Sequence, residues 1–194
     1  MEYAVAALLG YLLGSIPVAL IVGRAHGVDL LAAGDGNPGA WNALEQLGAG
    51  RAWPVFAGDG LKGAVAGFIG LALVGVGGAY AGVAGAMVGH ALPAFARLRG
   101  GRSVMTFAGG AFALSPVAAA IALAACVSVG LGTRSFAWGA RIGVFGFPLV
   151  QLAVDPAGRV IATGALMSLI GLRFLLARRR SAHAMSAPGA PPAT

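Results

Sequence analysis

The chain has 194 residues, of which 58% are hydrophobic and 10% are charged, and its mean hydropathy is +0.85. Because soluble domains are about one quarter charged, this composition excludes an ordinary water-soluble domain. In so apolar a chain the net charge of +7 indicates membrane topology and contact with anionic lipid head groups, and no nucleic-acid partner is expected.

Long uncharged stretches predict the membrane spans, because a spanning helix needs about 20 apolar residues. Ser115-Pro116 lies near the middle of the uncharged run 103–133, where proline can break a helix, so this run is predicted to form two short or tilted helices. The predicted spans are residues 3–23, a helical pair from about Trp53 to Ala96 that turns at Gly77-Gly78, the pair within 103–133, and helices at about 137–154 and 159–177.

The distribution of arginine predicts the orientation, because cytoplasmic loops carry an excess of Arg and Lys. With seven spans and the N-terminus outside, loops 24–52, 97–103 and 131–136 and the triple arginine at 178–180 all lie on the cytoplasmic side. Five spans, with 103–133 as one long helix, remain an alternative. We therefore predict an all-α polytopic membrane protein with about seven (five to seven) transmembrane helices. It forms a single domain over residues 1–180, with a disordered cytoplasmic tail over 181–194.

The loop after the first span reads GDGNPGAWN over residues 34–42. Its glycines allow backbone N–H groups to approach an anion, and a helix predicted over Ala43–Leu47 would direct its N-terminus at the same ligand. The pattern is not that of a nucleotide-binding P-loop. The alternative is a tight turn without a ligand.

A second loop, RLRGGRS over residues 97–103, combines three arginines with two glycines and precedes another helix. Guanidinium groups and a helix N-terminus suit a phosphate group. The alternative is a set of arginines that anchor the loop to lipid phosphates. Because both glycine-rich loops are predicted on the same membrane face, we favour a shared phosphate site.

Three ionisable residues of interest fall within the predicted helical pair from Trp53 to Ala96, where such groups usually face a polar interior. Asp59 and Lys62 lie three residues apart on one helix face, either as a self-contained ion pair or with Lys62 reaching a bound phosphate. His90 follows Gly89 and is either a packing residue or a catalytic one. The single Cys126, together with the absence of a second histidine or carboxylate near His90 in the sequence, predicts no metal site.

These motifs, in this order, resemble the acyl-phosphate-dependent glycerol-3-phosphate acyltransferases of bacteria, the PlsY type. The resemblance covers about residues 7–135. The matching stretches are YLLGSIP at 11–17, GDGNPGAWN at 34–42, DGLKG at 59–63, Gly89-His90, RGGRSVMT at 99–106 and LSP at 114–116.

The resemblance implies a small helical protein of the bacterial inner membrane with its active site at the cytoplasmic face. It implies transfer of an acyl group from acyl phosphate to the 1-hydroxyl of glycerol 3-phosphate, without a cofactor, as the first step of phospholipid biosynthesis. Lys62, His90 and Arg102 are the implied catalytic residues. The implied phosphate-binding residues are Ser15, Gly36, Asn37, Gly39, Asn42, Asp59, Gly100, Gly101, Ser103, Thr106 and Arg134.

The chain departs from the family pattern at several positions. Trp41 stands where the family has threonine, Arg102 replaces lysine, and Ser103 and Met105 replace small residues. The departures further along the chain are Ala137 and Ala140 in place of two serines, and Leu172 and Leu175 around Arg173 in place of histidine and asparagine. An alternative is therefore a catalytically impaired relative that binds a phosphorylated lipid or a partner protein and regulates lipid synthesis.

Overall fold

The computed structural model describes the backbone of residues 1–186 and the side chains of residues 1–178, and this part of the chain is helical without a β-strand. Five stretches are long and apolar enough to cross a membrane, in agreement with the predicted class of polytopic helical membrane protein. The helices are α1 (Glu2–Gly14), α2 (Val18–Ala25), α3 (Ala40–Leu47), α4 (Ala49–Ala91), α5 (Val104–Leu114), α6 (Pro116–Thr133), α7 (Phe136–Val154) and α8 (Ala157–Ser186), with a short 3-10 turn at Ala94–Ala96.

The first span is interrupted between α1 and α2. Pro17 lacks a backbone N–H and precedes α2, so the regular helical hydrogen bonds stop there. The break leaves polar groups available to other segments: the Ser15 hydroxyl accepts a hydrogen bond from the Ala94 N–H at 3.2 Å, and the Ile16 carbonyl accepts one from Lys62 Nζ at 3.3 Å. The interruption therefore ties the first span to the segments that carry the candidate site.

Helix α4 is kinked, because Val74 and Gly75 have non-helical backbone angles. The predicted turn at Gly77-Gly78 is therefore placed two residues too late; Gly75, with φ 72°, adopts the left-handed conformation that glycine tolerates best. Gly78 has a different role, since a Cβ atom at Gly70 would collide with its carbonyl oxygen. The two arms of α4 thus pack backbone against backbone just beyond the kink.

The break at Ser115-Pro116 is confirmed, and the alternative of one long helix over 103–133 is wrong. Pro116 begins α6, where its missing N–H costs nothing. Helix α5 has 11 residues and rises only about 16 Å, which is shorter than an apolar core of about 30 Å. The prediction of five to seven spans holds, although α5 is too short to be a complete one.

Close helix contacts show which ends of the bundle lie together. A Cβ atom at Gly85 would collide with the carbonyl oxygen of Ala7, and one at Gly89 with that of Tyr11, so α1 and the second arm of α4 run in the same direction. This brings the loops 26–39 and 92–103 to one end of the bundle, together with the C-terminal part of α8. We call this the site end.

Helix α8 continues six residues past the predicted domain boundary at 180. Residues 181–186, assigned from the sequence to a disordered tail, are therefore helical. Residues 187–194 lie outside the residues that the structure describes.

Candidate active site

The two glycine-rich loops meet at the site end, as their predicted location on one membrane face requires. Arg102 Nη1 lies 2.8 Å from Asp35 Oδ2, which joins the second loop to the first. Gly101 lies against the first loop as well, because a Cβ atom there would be 3.1 Å from the carbonyl oxygen of Pro38. The structure therefore brings together two segments that are about 60 residues apart in the chain.

Left-handed glycines and a buried asparagine shape the first loop. Gly34 and Gly36 have φ values of 61° and 67°, and the Asn37 N–H donates to Asp35 Oδ1 at 3.0 Å. Asn42 is fully buried and donates to the carbonyl oxygens of Leu30 and Ala33 at 3.1 and 3.0 Å. Asn42, predicted to bind phosphate, thus uses its amide N–H groups to hold the backbone of the loop.

Backbone strain in the second loop is concentrated at residues other than glycine. Arg97, Leu98 and Ser103 have φ values of 52°, 60° and 62°, a region that costs most residues about 1–2 kcal/mol. Ser103 is buried, and its hydroxyl donates to the carbonyl oxygen of Met87 at 2.7 Å. This hydrogen bond offsets the backbone strain at Ser103, which the family pattern avoids by having a smaller residue there. It also directs the Ser103 hydroxyl toward the backbone.

Asp59, Lys62 and His90 form a buried polar cluster inside the bundle. Lys62 Nζ lies 2.8 Å from Asp59 Oδ1, and His90 Nδ1 lies 3.5 Å from the same oxygen. The three side chains are at most 7% exposed. Asp59 therefore orients both candidate catalytic groups, and its charge offsets the cost of burying Lys62.

Two cavities meet at Gly100. The narrow one is lined by the Asp59, Lys62 and His90 cluster, by Arg99 and by apolar residues of α2. The wide one has a volume of about 670 Å³. Its lining residues are Gly34, Asp35, Gly36, Asn37, Gly100, Arg102, Arg173, Phe174, Leu176, Ala177 and Arg178.

Helix α8 supplies a wall of the wide cavity. Arg173, which the family resemblance carries over, donates to the carbonyl oxygens of Gly101 and Gly100 at 3.1 and 2.8 Å. Phe174 lies with its ring centroid 4.6 Å from the Arg102 guanidinium carbon, a cation–π contact. The sequence motifs did not predict Asp35, Phe174 and Arg178 as residues of this site. For Arg178, the run of arginines at the end of α8 was a signal in the sequence.

Seven predicted phosphate-binding residues lie outside the lining of both cavities: Ser15, Gly39, Asn42, Gly101, Ser103, Thr106 and Arg134. The Ser15 hydroxyl binds the backbone at Ala94, and the Thr106 hydroxyl is buried where α5 contacts Gly63, without a hydrogen-bond partner in the described part of the chain. Arg134 is exposed at the end of α6. Their role in binding phosphate stays a prediction.

Trp41, the bulkiest departure from the family pattern, packs against the start of α7. Its ring stacks on Phe136 with the centroids 5.7 Å apart, and Phe136 makes an edge contact with Phe56. The Trp41 Nε1 donates to Glu45 Oε1 at 2.7 Å. Trp41 therefore fills the gap between α3 and α7, and it does not line either cavity.

We expect Gly101→Ala to lower the rate of the acyl transfer that the family resemblance implies about 100-fold, because a Cβ atom at Gly101 would collide with the His90 ring and shift it away from Asp59. The measurement is the steady-state rate of the purified variant. Gly132→Ala is the matched control, since a Cβ atom there meets nothing within 4 Å. A Gly101→Ala variant as active as Gly132→Ala would show that the His90 position is unimportant.

Comparison with known sequences identifies relatives that share the same name and function. A family model described as glycerol-3-phosphate acyltransferase matches residues 4–184. A glycerol-3-phosphate acyltransferase of Rubrobacter xylanophilus is 40% identical over 132 residues, which cover 68% of this chain and 61% of the relative. That of Thermus thermophilus is 38% identical over 164 residues, which cover 84% of this chain and 82% of the relative. The match to the Rubrobacter protein thus spans less than two thirds of that protein's length.

Comparison with solved structures extends the similarity to the fold. PlsY, an integral membrane glycerol 3-phosphate acyltransferase, was solved in a glycerol 3-phosphate form and in a lysophosphatidic acid form. The first superposes with a TM-score of 0.80 at 26% identity, covering 94% of this chain and 93% of that one. The second gives a TM-score of 0.78 at 25% identity. With a family model that matches nearly the whole sequence and a fold shared over nearly the whole length, this chain belongs to the glycerol-3-phosphate acyltransferase family.

Proposed function

We propose that this protein transfers an acyl group from acyl phosphate to the 1-hydroxyl of glycerol 3-phosphate, releasing lysophosphatidate and phosphate. One observation carries the proposal: the two glycine-rich loops join through Arg102 and Asp35 at the wall of a cavity that three arginines line. Both substrates carry a phosphate group. Arginine side chains and the backbone N–H groups of glycine-rich loops are both suited to bind such a group. Family membership supports the same reaction.

The proposed reaction depends on positioning the two substrates and does not pass through a covalent acyl-enzyme intermediate. The glycerol hydroxyl attacks the acyl carbon, the bond from this carbon to the phosphate oxygen breaks, and the leaving phosphate takes the hydroxyl proton. Lys62 and Arg102 stabilise the negative charge on the phosphate groups, and His90, which Asp59 holds at the narrow cavity, helps to position the glycerol hydroxyl. No metal or nucleotide takes part in this scheme.

The proposed location is the bacterial plasma membrane, with the site end in the cytoplasm, the N-terminus outside and the C-terminus inside. The site end carries Arg97, Arg99 and Arg102 in one loop and Arg178 at the end of α8, as expected for the cytoplasmic side. This orientation places the cavity where soluble glycerol 3-phosphate reaches it, while the acyl donor approaches from the surrounding lipid.

A second candidate is a relative that binds phosphorylated lipid but has lost catalysis. The substitutions at Trp41, Ala137 and Ala140 favour it, because they remove three hydroxyl groups that the family pattern contains. Such a relative would still contain the two glycine-rich loops that are suited to bind phosphate. Binding is therefore expected in both cases, and turnover separates them.

The decisive experiment supplies acyl phosphate and glycerol 3-phosphate to the purified full-length protein in lipid bilayers and follows phosphate release and lysophosphatidate formation. We expect turnover well above that of protein-free bilayers, and we expect EDTA to leave the rate unchanged. Saturable binding of either substrate without turnover would contradict the enzyme proposal and favour the second candidate. Inhibition by EDTA that added metal reverses would contradict the metal-free scheme.

A further inference from the structure

A carboxylate lies in the wall of a cavity that otherwise suits anions. Asp35 lines the wide cavity together with Arg102, Arg173 and Arg178, and its side chain is 36% exposed. A phosphate group that enters this cavity meets the negative charge of Asp35 within reach of the same arginines. Asp35 has no part in the proposed acyl transfer.

Asp35 binds the same nitrogen of Arg102 that a phosphate group would have to bind. A guanidinium binds phosphate most strongly through two parallel N–H groups on one edge. One edge of Arg102 contains Nη1, which lies 2.8 Å from Asp35 Oδ2. The other contains Nε, which is buried and has no hydrogen-bond partner in the described part of the protein. A two-bond contact with phosphate therefore requires Nη1.

Phe174 prevents Arg102 from simply turning away from Asp35. The aromatic ring covers one face of the guanidinium at 4.6 Å, and the Arg102 side chain is only 20% exposed. Asp35 has more freedom, because it lies between Gly34 and Gly36, both in the left-handed conformation. Its other oxygen accepts a single hydrogen bond within the described residues, from the Asn37 N–H. When the pair separates, Asp35 is therefore the partner that moves.

We propose that Asp35 competes with the phosphate group of the substrate for Arg102, so that it weakens phosphate binding and makes the first loop move when substrate enters. The identity of the phosphorylated ligand rests on the proposed function. The competition itself requires only that the cavity bind phosphate. Asp35 is thus a residue that sets substrate affinity, and it makes no bond to the reacting atoms.

The test compares Asp35→Asn with Asp29→Asn by calorimetric titration of inorganic phosphate and of glycerol 3-phosphate into the full-length protein. Asp29 is a matched control because it belongs to the same connection, its carboxylate accepts a hydrogen bond from the Leu31 N–H at 3.0 Å, and it does not line the cavity. Both substitutions remove one negative charge and keep an oxygen acceptor. We expect Asp35→Asn to tighten phosphate binding about fivefold or more, and Asp29→Asn to leave it unchanged.

The titration measures phosphate affinity, so its outcome tests the proposal independently of the rate of acyl transfer. Equal affinities in Asp35→Asn, Asp29→Asn and the unmodified protein would overturn it. Weaker binding in Asp35→Asn would also overturn it, since Asp35 would then be holding Arg102 in place for the phosphate. Tighter binding in a protein that shows no acyl transfer would support the competition and contradict the proposed enzymatic function.

Discussion

Lys62→Ala is expected to lower the rate of acyl transfer at least about 100-fold, because it removes the buried positive charge of the narrow cavity, which we propose stabilises a phosphate group in the reaction. Among the described residues, it also leaves Asp59, which is 1% exposed, with the more distant His90 as its one remaining partner. Loss of one member of a buried ion pair costs about 3–5 kcal/mol, so the variant is expected to unfold at a lower temperature. Phosphate release and thermal unfolding in the same membrane mimetic measure the two effects.

A double variant separates catalysis from folding at this cluster. Asp59→Asn combined with Lys62→Met removes both charges, so no unpaired charge stays buried. We expect its thermal stability to recover toward that of the unmodified protein while its turnover stays as low as that of Lys62→Ala. Full turnover in Lys62→Ala, or recovered turnover in the double variant, would show that Lys62 acts only on stability.

Arg102→Ala is expected to reduce kcat/KM about 100-fold with little change in thermal stability. The guanidinium lines the wide cavity and is held by Phe174 of α8, so its loss removes a positioned positive charge that would bind the substrate phosphate. Since its ion pair with Asp35 is partly exposed, the contribution to folding is about 1 kcal/mol or less. Steady-state kinetics with each substrate varied in turn would measure the loss.

Arg97→Ala and Arg102→Lys are the controls for this prediction. Arg97 is an exposed arginine of the same loop that lines neither cavity, so we expect its replacement to leave the rate nearly unchanged. Arg102→Lys keeps the charge but loses the planar two-bond geometry, and it should recover only part of the activity. If Arg97→Ala and Arg102→Ala lowered the rate equally, general attraction of anions by the loop would be the explanation.

The architecture followed from local features of the sequence. Long uncharged runs predicted the spans, because in a bilayer each apolar stretch must satisfy its own backbone hydrogen bonds as a helix. Proline at 116 placed the break between α5 and α6 correctly, since the ring removes a helical N–H whatever surrounds it. The arginine distribution predicted that the two glycine-rich loops share one end, and the Arg102–Asp35 contact confirms this.

The position of the kink in α4 could not be predicted from the local sequence. Gly75, Gly77 and Gly78 are equally permissive as residues, so the sequence alone could not select the one that turns the chain. Packing decided it: Gly78 is needed where the arms cross, against Gly70, which left Gly75 to adopt the positive φ.

By itself, the sequence determined which residue types are available for phosphate chemistry and their order, and it predicted that their loops lie together at one end of the bundle. Only the tertiary structure decided what each side chain does, because that depends on partners distant in the chain. Asn42 and Ser103 look like phosphate ligands in their motifs. In the fold, Asn42 donates its amide N–H groups to two backbone carbonyls and Ser103 donates its hydroxyl to one, since most buried polar groups form hydrogen bonds. Phe174 looks like an ordinary apolar helix residue, yet it holds Arg102 because α8 packs back across the second loop.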